Sequence, residues 1–160
     1  MSETGVDQYV VFKLGKEEYG FDVSTVREIH TMEQITRVHR SAAYIEGVMN
    51  LRGKLLTVIN LRKRFAMEPG ETGDAQRIVV VDASDAPVGF LVDQVAEVAR
   101  IPKEAIEKAP PHITKDIESE YVIGIAKYES RLITLIDPVK VLELTVEDKK
   151  PVVSGGDSNG

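Results

Sequence analysis

The chain has 160 residues, 20 basic against 26 acidic, a formal charge of −6, and no cysteine. That composition excludes a disulfide framework, thiolate metal ligation and thiol catalysis, and it disfavours generic nucleic-acid binding, which needs a clustered cationic face. Residues 1 to 7 are polar, with neither a basic nor an apolar region of the secretory type, and no apolar run is long enough for a membrane span. A single 160-residue domain, or two small lobes sharing a boundary, is expected to bury a core of its own.

In chain order, Tyr9–Leu14 reads as a strand, Gly15–Glu18 as a turn and Tyr19-Gly20-Phe21 as the returning strand. Val23, Val26, Ile29 and His30 fall at helical spacing, predicting a short amphipathic helix over 23–30 capped by Asp22 or Ser24. Gly47–Leu51 and Lys54–Asn60 flank Arg52-Gly53 as a tight hairpin. Ile78–Ala83 and Val88–Val92 make a second hairpin around Ser84-Asp85-Ala86-Pro87. Val95–Ile101, Val122–Tyr128 and Arg131–Ile136 complete the strands, and Asp137-Pro138 starts a helix carrying Val139, Val141, Leu142 and Leu144. From Lys149 the chain becomes rich in Gly, Ser, Asp and Asn and reads as a loose tail.

Many short strands at regular spacing indicate barrels or a sandwich, and self-comparison sharpens this into a duplication. Gly47-Val48 and Lys54–Asn60 match Gly124-Ile125 and Arg131–Asp137 at an offset of 77. Gly20–Ile29 matches Gly89–Val98 at an offset of 69. The difference of 8 places an insertion in the second copy, between Ile101 and Glu120. Two similar five-stranded β lobes are the expected architecture, with boundaries near 8–76 and 77–144 and strands able to cross between them. Val58, Ile59, Ile133 and Leu135 are expected to fill the lobes, leaving binding to outer strands, loops or the cleft between lobes.

The sequence offers an enzyme few parts. His30, His39 and His112 lie far apart, without a second ligand at metal spacing. Nucleophile elbows, Walker loops and dinucleotide glycine patterns are absent. Asp82, Asp93 and Asp137 sit at strand ends, where caps and turns account for them. Residues 1–80 hold 11 basic and 11 acidic side chains, against 9 and 15 in residues 81–160. Arg52, Lys54, Arg62, Lys63 and Arg64 thus form the available positive patch. The alternative function, a small β-barrel nucleic-acid binder, would want stacking aromatics beside such a patch, and there is no Trp.

One segment is distinctive: Gly47-Val48-Met49-Asn50-Leu51-Arg52-Gly53, then Lys54–Asn60 and Leu61-Arg62-Lys63-Arg64-Phe65. With Glu18–Val23, Val88–Val95 and Gly124–Leu142 it resembles the CheW family of chemotaxis adaptors, from about Gln8 to Leu144. Asn60 stands where the family commonly has Asp, and Thr57 where it commonly has Pro. The resemblance implies a stand-alone, mainly β, CheW-like domain of two five-stranded SH3-like barrels with short helices, non-catalytic and without cofactor. It implies a cytoplasmic location at membrane receptor arrays. The implied partners are the cytoplasmic helical hairpin of chemoreceptors and the regulatory domain of the histidine kinase CheA, with no nucleic acid and no membrane insertion. By the same resemblance Val26, Glu28, Ile29, Gly47, Asn50, Arg52 and Val98 would serve receptor binding, Glu28 orienting Arg52 by an ion pair. Glu107 and His112 would serve a kinase or ring contact, Pro110-Pro111 stiffening that loop.

Overall fold

A computed structural model describes residues 6–68, 70, 73–82, 86–108 and 119–142. The first strands are β1 (Val6–Leu14), β2 (Glu17–Asp22), β3 (Val26–Thr31), β4 (Ile45–Leu51) and β5 (Lys54–Asn60), followed by the single-turn helix α1 (Leu61–Arg64). Then come β6 (Arg77–Asp82), β7 (Pro87–Val92), β8 (Gln94–Pro102), the short β9 (Ile106–Glu107), β10 (Val122–Tyr128) and β11 (Arg131–Ile136). A closing helix, α2, is described over 138–142. The molecule is mainly β, and β10 and β11 match the sequence reading end for end. His112, Pro110-Pro111 and the tail from Lys149 lie outside the described residues.

The strands form two sheets, ordered β8-β1-β2-β11-β10-β9 and β3-β6-β7-β5-β4. Strands from either side of residue 76 share each sheet. The duplication explains how. Under the two offsets β1, β2, β3, β4 and β5 become β6, β7, β8, β10 and β11, and the first sheet, without β9, becomes the second strand for strand. Each sheet therefore holds the leading hairpin of one copy and the remaining strands of the other, as though the copies had exchanged β1–β2 for β6–β7.

The register follows the same rule. Parallel pairing joins Thr57 to Val88 and Val58 to Gly89, and in the other sheet Thr134 to Tyr19 and Leu135 to Gly20. A β-bulge separates Ile45/Ile59 from Gly47/Val58, and another separates Val122/Ile136 from Gly124/Leu135. The extra length of the second copy falls between β8 and β10, where β9 lies.

Three apolar clusters hold this arrangement. Met49, Leu56, Val58, Ile78, Val80 and Leu91 fill one lobe. Tyr9, Val11, Ala99, Ile101, Ala126, Ile133 and Leu135 fill the other. The largest cluster lies between the sheets, where Phe12, Tyr19 and Phe21 meet Ile59, Phe65, Val79, Phe90 and Tyr121. Phe21 and Phe90 are equivalent in the two copies and touch edge to face, 5.4 Å between centroids, so they mark the approximate two-fold axis. Ile59 belongs to this inter-sheet core and not, as expected, to a lobe interior: strand alternation sends Val58 and Ile59 to opposite faces.

The main correction concerns 23–30. Asp22 does cap, accepting the Ser24 N–H at 2.9 Å, but it closes only a single 3₁₀ turn over Val23–Thr25. Val26–Thr31 is then a strand paired to β6, from Val26/Val81 to Thr31/Arg77. Its exposure alternates, with Val26, Glu28 and His30 half-buried and Arg27, Ile29 and Thr31 exposed. The chain adopts period 2 because the β6 ladder satisfies backbone groups that one isolated helical turn would leave to water. The helix at Asp137 forms over the described 138–142, with the carboxylate accepting from Val139 N at 3.0 Å, and Leu144 lies outside the described residues.

Candidate functional site

Arg52 sits at the tip of the β4–β5 hairpin, in a two-residue turn whose φ angles are positive at both Arg52 (52°) and Gly53 (86°). This primed turn suits the right-handed twist of the strands, and Asn50 supports it by accepting the Gly53 N–H through Oδ1 at 2.9 Å. β3 and β4 are opposite edges of one sheet. From the turn beyond the β4 edge the Arg52 guanidinium reaches the β3 edge and donates to the Glu28 carboxylate. His30 Nε2 lies 3.0 Å from the other Glu28 oxygen.

Glu28 is thereby flanked by two nitrogen-bearing groups. The Arg52 hydrogen bond holds its carboxyl below the usual carboxylate range, against the opposing effect of desolvation, with His30 adding to the lowering. The same bond holds the Arg52 guanidinium proton more tightly than usual. Arg52 nevertheless remains 64% exposed, so its face away from Glu28 is open to a partner. Around it Leu51, Lys54, Leu55 and Pro87 line a shallow depression. Leu55, 74% exposed, and Ile29, 40% exposed, are apolar side chains left on the surface.

The second lobe repeats the scaffold and changes its chemistry. Its β10–β11 turn has positive φ at Glu129 (52°) and Ser130 (66°), the equivalents of Arg52 and Gly53. Glu97, equivalent to Glu28, is bound by Arg131, two positions beyond the equivalent of Arg52 at the start of β11, and Arg131 also lies 3.3 Å from Glu18. The exposed Val98 and Leu132 are equivalent to Ile29 and Leu55. In each lobe an acid on the edge strand is thus held by an arginine in or just after the hairpin turn. The turn conformation itself accepts Glu as readily as Arg, so the exposed cationic tip at position 52 is not required by the fold.

The residues expected at the site separate into groups. Glu28, Ile29, Asn50 and Arg52 come together at the β3 edge and the β4–β5 tip. Val26 packs half-buried against the inter-sheet core. Gly47 is buried beneath the segment crossing it, where a Cβ would stand 2.2 Å from the Thr36 carbonyl oxygen. Val98 lies in the other sheet, on β8, half exposed. Glu107 is on β9, with Lys127 Nζ at 3.0 Å from its carboxylate. Leu55 was missed, although the repeat aligns it with Leu132 on an outward strand position.

A further ion pair ties the lobes. Arg62, at the start of α1, grips Asp93 with Nε and Nη2 at 2.9 and 2.6 Å, while the Gly15 N–H donates to the same carboxylate at 2.7 Å. One carboxylate thus joins α1, the β1–β2 turn and the β7–β8 link. Among the described residues no group of three or more His, Asp or Glu could hold a metal ion, and no helix is long and apolar enough to cross a membrane.

Residues 8–146 match the CheW-like domain family. The chain is 36% identical to the chemotaxis protein CheW of Bacillus subtilis over 137 residues, covering 86% of this chain and 87% of that one. This chain belongs to the CheW family. The CheW of Klebsiella aerogenes is 34% identical over 140 residues, covering 88% of this chain and 84% of the relative. The crystal structure of the scaffolding protein TtCheW from Thermoanaerobacter tengcongensis superposes with a TM-score of 0.78 at 36% identity, over 84% of this chain and 86% of that one. Membership of the CheW family gives the exchanged two-sheet architecture an experimentally determined counterpart.

Proposed function

We propose that this chain is a non-catalytic chemotaxis scaffold that holds the cytoplasmic helical hairpin of a chemoreceptor against the regulatory domain of CheA, in arrays on the cytoplasmic side of the membrane. The observation that carries the receptor half is the Arg52 tip. It is a mostly exposed guanidinium, oriented by Glu28 and bordered by the exposed apolar Ile29 and Leu55, on a turn whose counterpart in the other lobe carries Glu129. A helical hairpin offers apolar rows flanked by carboxylates and by carbonyls at its bend, which a forked donor beside apolar side chains complements. Asn50 shapes the turn, Val26 and Gly47 support the two strands from beneath, and Val98 extends the apolar surface on the other sheet. Glu107 on β9 and His112 form the kinase or ring contact. A receptor shift is transmitted only as a difference in contact energy between signalling states, and many weak contacts acting together supply the avidity.

The test is capture of a receptor cytoplasmic fragment and of the CheA regulatory domain by wild type, Arg52→Asp and the exchanged pair Glu28→Arg/Arg52→Glu. Arg52→Asp should weaken receptor capture by about tenfold or more, with kinase capture unchanged. The exchanged pair keeps an ion pair between the β3 edge and the turn but removes the cationic tip, so it should stay folded and still fail to capture receptor. Restored capture by the exchanged pair would show that Arg52 acts only through its ion pair with Glu28, and would refute the assignment.

A further inference from the structure

The link between β3 and β4 carries a concentration of charge that the receptor and kinase contacts leave unused. Over residues 32–44 it contains Arg37, His39 and Arg40 against one acid, Glu33, in a chain whose net charge is −6. All three are exposed. Among the described residues none of them has an ion pair or side-chain hydrogen bond, whereas Arg27, Arg52, Arg62, Lys63, Lys127 and Arg131 all have one. Glu33, the one acid of the link, precedes Arg37 by four residues, and Glu46 just beyond the link is already engaged by Lys63 and Asn60.

Arg37, His39 and Arg40 line an open cleft of about 450 Å³ formed by residues 37–45, with the half-buried Ala42 and Ile45 as its apolar side. Val38 stands at the cleft 42% exposed, and the Ser41 hydroxyl turns inward to the Val38 carbonyl at 2.8 Å. Arg40 is held at φ 63°, a conformation that costs a non-glycine residue energy and that glycine would adopt freely. The loop thus keeps a strained arginine, with no partner of its own, at the rim of a partly apolar cleft.

We propose that this cleft is a docking site for an acidic, amphipathic protein segment, its carboxylates bound by Arg37, Arg40 and His39 and its apolar side chains seated on Val38, Ala42 and Ile45. Charge complementarity selects the acid, because guanidinium groups pair with carboxylates in forked geometry. The apolar side and the cleft volume select a peptide segment over a bare oxyanion, which would use the cations alone. A long polyanion is disfavoured, since this short link offers it only two arginines. The inference does not rest on the receptor and kinase roles proposed above.

The experiment follows backbone amide shifts of the full chain during titration with a synthetic helical peptide bearing two rows of Glu beside a row of Leu. The same peptide with Gln for Glu, and sodium phosphate, are titrated separately. The acidic peptide should shift amides of residues 37–45 saturably, and the Gln peptide and phosphate should not. Arg37→Gln/Arg40→Gln should weaken binding at least tenfold. Arg40→Gly removes the side chain while relieving the positive φ, so it stays folded and should weaken binding severalfold. The proposal is overturned by no saturable shift, by equal binding of the Gln peptide, by shifts centred elsewhere, by undiminished binding to Arg40→Gly, or by phosphate reproducing the shifts, which would make this a small-oxyanion site.

Discussion

Gly47 invites a substitution whose outcome separates support from contact. In Gly47→Ala the new Cβ would lie 2.2 Å from the Thr36 carbonyl oxygen and 2.8 Å from Ile35 Cγ2, at a backbone φ of +149°. The Thr36 carbonyl cannot withdraw freely, because it accepts the Val48 N–H at 2.8 Å while Thr36 N–H donates to Val48 O at 2.8 Å. Overpacking costs about 1–3 kcal/mol, and the backbone conformation a similar amount. Together with strain on the Thr36–Val48 bridge, a destabilisation of about 3–5 kcal/mol follows. Two controls divide that sum. Gly124 meets the same crossing from Glu107 O at 2.7 Å but without a positive φ, so Gly124→Ala should lose only the packing part, about 1–3 kcal/mol. Gly53 has open space and φ +86°, so Gly53→Ala should lose only the backbone part, about 1 kcal/mol. Urea unfolding followed by circular dichroism reads all three. With a slope of about 2 kcal/mol/M, the midpoint should fall by about 2 M for Gly47→Ala, about 1 M for Gly124→Ala and about 0.5 M for Gly53→Ala. A Gly53→Ala loss equal to that of Gly47→Ala would refute the reasoning. So would a folded, stable Gly47→Ala protein that no longer captures receptor, since Gly47 would then act at the interface itself.

Two further perturbations probe how the lobes are joined. Burial alone would raise the Asp93 carboxyl, but hydrogen bonds from Arg62 and the Gly15 N–H, with the Arg62 charge, outweigh it and hold the group below its ordinary value. Its contribution is therefore fully present above the unfolded value near pH 4 and is lost as pH falls through the lower folded value. Asp93→Asn should cost about 1–3 kcal/mol at pH 7 and flatten the loss of stability below pH 4; an unchanged acid limb in urea titrations across pH 2–6 would count against the clamp. At the pseudo-two-fold axis, Phe21→Ala and Phe90→Ala should each cost about 3–5 kcal/mol, and their double-mutant cycle should show a coupling of about 0.5–1.5 kcal/mol; strict additivity would mean the rings do not interact.

Most of the fold was legible because turn chemistry and strand composition agreed. Arg52-Gly53 marked one hairpin, and Val122–Tyr128 with Arg131–Ile136 are short β-branched apolar runs separated by a two-residue turn. The error at 23–30 arose where two periods fit the same apolar residues. Val23, Val26, Ile29 and His30 satisfy a helix, and only the β6 ladder, made by residues fifty positions later, decides otherwise. The repeat already held the answer, since Val26–Ile29 aligns with Val95–Val98, a segment read as strand, and equivalent segments of a duplication share their structure. Glu28 and Arg52 could be paired by opposite charge, but the reach of the β4–β5 turn to the β3 edge that brings them together is a property of the folded sheet, invisible in local pattern. The Arg62–Asp93 clamp was unreadable for the same reason, as its partners are 31 residues apart and Asp93 looked like a turn residue.

The exchange of leading hairpins fixes how the molecule must unfold. β1 and β2 complete the sheet that holds β8, β10 and β11, while β6 and β7 complete the sheet built on β3, β4 and β5. Neither half of the sequence holds a complete sheet: the second sheet is the continuous stretch 26–92, set between β2 and β8 of the first, whose own strands come from both ends of the chain. Opening one lobe withdraws strands covalently linked to the other and exposes the inter-sheet core of Phe12, Phe21, Phe65, Phe90 and Tyr121. The lobes should therefore lose structure in one cooperative step, even though each has its own small interior cluster. Amide protection of Val58 in one lobe and of Leu135 in the other should report the same opening free energy, equal to the global value from denaturant. Two distinct plateaus, one per lobe, would show that the exchanged hairpins do not couple the barrels.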